Sequence, residues 1–102
     1  MLSFSWVFGD SSDGTPEEIP QLLADLANAD VEHTDVSFSK EDISVGVFPG
    51  RQLTIEDVES DTLLPHHFEA PDDETIIAIA RLLDQGKVQE IMDSYPWKKG
   101  YY

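Results

Sequence analysis

The sequence predicts a single α+β domain over residues 1–102, with an antiparallel sheet of four to five strands packed against helices. Three observations predict it. Residues 43–58 read as a β-hairpin: Ile43, Val45 and Val47 alternate with Ser44 and Gly46, and Leu53 and Ile55 alternate with Gln52, Thr54 and Glu56, the period of half-buried strands. Ile76, Ile79, Ala80 and Leu83 repeat at helical spacing near the other end of the chain. Strand patterns and helix patterns are segregated along the sequence rather than alternating, which favours a sheet covered by helices on one face.

In chain order, residues 2–8 alternate as a first strand. Leu2, Phe4, Trp6 and Phe8 fall on one face and Ser3, Ser5 and Val7 on the other, so the aromatic face is expected in the core. Asp10-Ser11-Ser12-Asp13-Gly14 has loop composition. Thr15 is placed to cap a helix, with Pro16 at its first position and Glu18 completing a capping box. Pro20 would crowd the carbonyl of Pro16, so the first turn is expected to be irregular and the regular helix to start near Ile19. Ile19, Leu22, Leu23 and Leu26 form its stripe, and it should end within residues 28–30.

Residues 34–39 alternate again, with Val36 and Phe38 on one face. A short polar turn leads into the hairpin, completing a three-stranded meander. Pro49-Gly50 supplies its turn: proline presets φ and glycine takes the positive φ that follows. Residues 60–71 read as a loop with a short edge strand at 66–69. Asp72-Asp73-Glu74 opens the clearest helix, where acids complement the dipole, and Gly86 ends it. Val88, Ile91 and Met92 point a last short helix inward. The expected order is β-α-β-β-β-(β)-α-α, followed by an aromatic, basic tail.

Charge is the strongest compositional fact. There are 21 acids against 6 bases, a formal net charge of −15. Residues 1–39 hold eight acids and no Lys or Arg, while four of the six bases lie in the last 22 residues. Direct binding to nucleic acid or an anionic membrane needs positive charge and is not expected. A basic protein partner is favoured, although acidity also serves solubility alone. No apolar run approaches the roughly 20 residues that span a membrane. The first ten residues lack a basic n-region and a cleavage site, and the chain has no cysteine, so a cytoplasmic location is expected.

Motifs for catalysis are absent: there is no nucleophile elbow, two-histidine zinc motif or glycine-rich phosphate loop. No enzyme activity and no cofactor are expected. His66 and His67 would point to opposite faces of a strand and so cannot easily share a metal. Asp10-Ser11-Ser12-Asp13-Gly14 carries fragments of a calcium loop, without its terminal glutamate. No metal site is expected from either.

Three acidic segments remain. Asp72-Asp73-Glu74 is explained by helix capping. Asp30, Glu32 and Asp35 form a second. The densest, Glu56, Asp57, Glu59 and Asp61, leaves the last meander strand, where a cationic partner would turn mutual repulsion into binding energy. Glu56, Asp57, Glu59, Asp61 and Asp35 are therefore the expected partner-binding acids. Trp97 joins them: with the tail tyrosines it is expected to fold back over the sheet or to form part of an interface, where aromatics are enriched.

The chain is short, cysteine-free and acidic, with an α+β pattern, an aromatic first strand and a C-terminal helical segment ending in Pro96-Trp97-Lys98-Lys99-Gly100-Tyr101. It resembles the small immunity proteins of bacterial toxin systems, including those of contact-dependent growth inhibition. The resemblance is one of layout and carries no individual residue. It implies a single domain that binds a cognate toxin, commonly a nuclease, and occludes its active site. The alternatives are an acidic DNA mimic that blocks a DNA-binding protein, or a small enzyme or metal-binding domain. A monomer or weak dimer is expected, since an exposed outer strand could pair with another chain.

Overall fold

The structure, a computed structural model, describes residues 1–59 and 63–101. Its order is β1 (Leu2–Ser5), β2 (Ser11–Gly14), α1 (Ile19–Asp25), β3 (Val36–Lys40), β4 (Ile43–Phe48), β5 (Gln52–Asp57), β6 (His66–Glu69), α2 (Asp73–Asp84), α3 (Val88–Ser94) and β7 (Lys98–Lys99). The described strands form one antiparallel sheet in the order β2-β1-β3-β4-β5-β6-β7. The α+β class and the meander β3-β4-β5 are as the sequence predicts. The strand number is not: seven replace four to five.

The two added strands lie at the two edges of the sheet. Ser11–Gly14 pairs with Leu2–Ser5, although Ser, Asp and Gly are poor strand formers. Its partner's backbone imposes the conformation. Lys98–Lys99 pairs with His66 and His67, so β6 is an interior strand and not an edge. The first strand is also shorter than its alternation suggests. It ends at Ser5, and a turn closed by the Trp6 amide on the Asp10 carbonyl (2.8 Å) follows, with Gly9 at φ 91°. The turn reverses the expected facing: Val7 is buried and Phe8 exposed.

The first helix begins as proline chemistry dictates. A 3-10 turn, Pro16–Glu18, carries the Thr15–Glu18 capping box, and regular helix starts at Ile19. Asp72 caps α2, its carboxylate accepting from the Thr75 amide at 2.9 Å. Gly86, at φ 73°, terminates that helix. All three helices cover one face. Leu2, Phe4, Val36, Phe38, Val45, Val47, Leu53, Ile55 and Phe68 from the sheet meet Ile19, Leu22, Ile76, Ile79, Leu83 and Ile91 from the helices in one core. Among the described residues, no helix is long and apolar enough to cross a membrane.

Candidate functional site

The strand register defines the opposite face without further assumption, because alternate residues point to alternate sides. One row across it reads Asp13, Ser3, Ser39, Ser44, Glu56. The next reads Ser11, Ser5, Ser37, Gly46, Thr54, His67, Lys98. A third, shorter row holds Phe48, Gln52 and Glu69. Among the described residues no helix lies on this face. Its centre is small and uncharged, in a chain where 26% of residues are charged. Of its charged groups, Asp13, Glu56, Glu69 and Lys98 stand toward the edge, and Asp35 reaches in beside Gly46.

The relief of this face comes from one glycine. A Cβ placed on Gly46 would lie 2.8 Å from Thr54 Oγ1, 3.7 Å from the Phe48 ring and 3.8 Å from Asp35 Oδ2. Three side chains from three neighbouring stretches therefore close over the bare backbone. Beside them, Phe48, Gln52, Thr54 and Tyr101 line a depression of about 330 Å³. A second depression of about 440 Å³, bounded by Val31, Thr34, Asp30 and Pro49, shares Phe48 and Gln52 with it. Val31 is 96% exposed at its rim, and Phe8 stands exposed against the His33 ring, centroids 5.0 Å apart. Aromatic and aliphatic surface flanked by acids is the composition of a protein-binding patch.

Tyr101 reaches this face from the C-terminal tail. The Gly100 amide donates to the Pro65 carbonyl at 2.8 Å, His67 Nδ1 lies 2.7 Å from the Gly100 carbonyl, and the Tyr101 hydroxyl donates to Glu56 Oε2 at 2.5 Å. The bond to Glu56 raises the phenol above its ordinary value, helped by desolvation and by the carboxylate charge. In the loop below, Asp30 accepts from the amides of Glu32 (2.9 Å) and His33 (2.8 Å), which hold its carboxyl below the usual range.

The six partner-binding residues expected from sequence do not form one cluster. Glu56 and Asp35 share the open face, at opposite ends of it. Asp57 alternates to the other side, and its Oδ1 accepts the Glu59 amide at 2.9 Å, shaping its own loop. Glu59 is exposed beyond the strand. Asp61 lies outside the described residues. Trp97 is half-buried on the helix side, where its ring meets Phe68 edge-on at 4.6 Å and its indole N–H donates to the Ile91 carbonyl at 3.0 Å. Sequence reasoning did not select Phe48, Gln52, Thr54 or Tyr101 as site residues. Phe48 carried a readable signal: it is a large aromatic in the polar phase of its strand.

His66 and His67 do face opposite sides, paired with Ile55 and Thr54. On the helix side, a depression of about 400 Å³ between α1, α2 and the hairpin turn is bridged by Arg51 Nε donating to Asp73 Oδ1 at 2.8 Å. Its charged groups are thus committed to each other. No family model, curated protein or solved structure matches the chain.

Proposed function

We propose that this protein is a non-enzymatic inhibitor of the immunity type, which binds a basic toxin, a nuclease before other classes, and occludes its active site. The observation that carries the reading is the distribution of the −15 charge: a sheet face of serine, glycine and threonine that no helix covers among the described residues is bordered by acids, with Lys98 at one edge, and carries an aromatic-lined depression. Nucleases are basic where they hold phosphates, so such a face is their physical complement. Long-range attraction steers the encounter, and the apolar depressions beside Phe48 supply the desolvated contacts that dominate interface energy. The cell interior is the compartment where such an inhibitor would act. A DNA mimic would need carboxylates in a line at phosphate-like spacing, and acids around an uncharged centre support that reading less.

Capture from the source organism with the full chain as bait, followed by a nuclease assay on the bound fraction, tests the reading. Stoichiometric inhibition is expected, with an association rate that falls steeply as salt rises. A captured partner that lacks nuclease activity overturns the nuclease class. An association rate indifferent to salt overturns the electrostatic reading.

A further inference from the structure

This inference rests on the proposed basic partner and names what that partner inserts. The depression lined by Phe48, Gln52, Thr54 and Tyr101 combines three features. It offers two aromatic rings. Its rim carries the Glu56 carboxylate, held in place by the Tyr101 hydroxyl through Oε2. Its wall includes Thr54, which is 8% exposed and brings a hydroxyl to the depression. Gly46 keeps the floor beside it open, since a methyl group there would press on Thr54 Oγ1.

The geometry points to this depression as the receptor for an arginine side chain of the basic partner. A guanidinium is planar, stacks on aromatic faces and directs several N–H donors in fixed directions. The Phe48 and Tyr101 rings, Glu56 Oε1, the Gln52 carbonyl and the Thr54 hydroxyl supply the matching faces and acceptors. A lysine ammonium is a compact, strongly hydrated charge and leaves most of these groups unused. A second copy of this chain is a poor occupant, because it brings the same net charge of −15. An anionic ligand meets the same repulsion from Glu56 and Asp35.

The test is an NMR titration of the full chain at low salt with two short peptides of equal charge, one built on arginine and one on lysine. The arginine peptide is expected to bind about tenfold more tightly and to shift the amide signals of Gln52, Thr54 and Tyr101. Glu56→Gln and Phe48→Ala are each expected to weaken it about tenfold and to erase the preference, with unchanged circular dichroism. Equal affinity for the two peptides overturns the inference, as do shifts confined to residues 57–59 or 72–74. Either result leaves the basic-partner reading standing. Loss of salt dependence with the captured partner overturns that reading instead.

Discussion

The inner and outer faces of this sheet are made by the same strands, residue by alternate residue, and they are filled by opposite rules. Inward positions carry Phe4, Phe38, Val45, Val47, Leu53 and Ile55, all fully buried or nearly so. Outward positions carry Ser3, Ser5, Ser37, Ser39, Ser44, Gly46 and Thr54. The inner choice follows from hydrophobic burial, which dominates folding. The outer choice does not follow from folding at all. Serine and glycine are weak strand formers, and a chain this rich in acids could have solvated the face with charged side chains. Filling most of it with serine, glycine and threonine leaves little charge to desolvate. Stability belongs to the inner face, and the proposed recognition to the outer.

The sharpest break of that division is a pair of substitutions on one strand. Phe38→Ala leaves a cavity between sheet and helices and should cost about 3–5 kcal/mol, a large share of the roughly 5–15 kcal/mol that holds a domain together. Ser37→Ala, one residue away on the other face, should move stability by no more than about 0.5 kcal/mol. Urea unfolding followed by circular dichroism measures both. A large loss at Ser37 would mean that the outer face is also covered and packed.

Charge reversal sharpens the outer half. Glu56→Lys removes the rim carboxylate and should cut affinity for a basic partner at least tenfold while sparing the fold. Asp57→Lys, on the same strand, should chiefly loosen the loop that its carboxylate shapes through the Glu59 amide. Calorimetric titration beside thermal melting separates the two. Equal loss of binding and stability at Glu56 would reduce it to a structural residue.

Gly46→Ala probes the join between the faces. The added methyl meets Thr54 Oγ1 at 2.8 Å, and overpacking of this kind typically costs about 1–3 kcal/mol. Combining it with Thr54→Ala should recover most of the loss, because the two sites share one contact. Additive losses would place the strain in the backbone.

The contrast between the faces also explains what the sequence made legible. The inner face was readable because burial enforces a strict period of two, and the capping box at Thr15 and Glu18 was readable because proline and capping chemistry are local. The edges were not. Ser11–Gly14 has no strand propensity of its own and is shaped by pairing with β1. Lys98–Lys99 is too short to show a period and is held by β6 and by the Gly100–Pro65 hydrogen bond. Of the site, Glu56 and Asp35 were legible as acids. Their separation across the face was not, nor was Tyr101, which reaches Glu56 across 45 positions of sequence. Trp97 was read as folding back over the sheet or joining an interface, because composition cannot distinguish an interface aromatic from a ring packed edge-on against Phe68.

The smallest effects come from titration, and the two sides should respond at opposite ends of the pH scale. On the helix side, Asp72 caps α2, and the Thr75 amide followed by the Thr75 hydroxyl holds its carboxyl below 3.8. A carboxyl depressed in the fold adds stability above its unfolded value, and that contribution is lost as pH falls through the folded value. Asp72→Asn keeps a capping side chain but removes the charge, so its melting temperature should lose the part of the acid dependence below about pH 4 that belongs to this cap. On the open side, Tyr101 is raised above 10.0, first by its bond to Glu56. That contribution is complete below the unfolded value and disappears as pH rises through the folded one. Difference ultraviolet absorbance between the native chain and Tyr101→Phe should show the Tyr101 phenol ionising above its ordinary value. Glu56→Gln should return it toward its ordinary value without altering the acid limb set by Asp72. A tyrosine titration unchanged by Glu56→Gln would detach Tyr101 from the rim, and with it the carboxylate position that the proposed recognition requires.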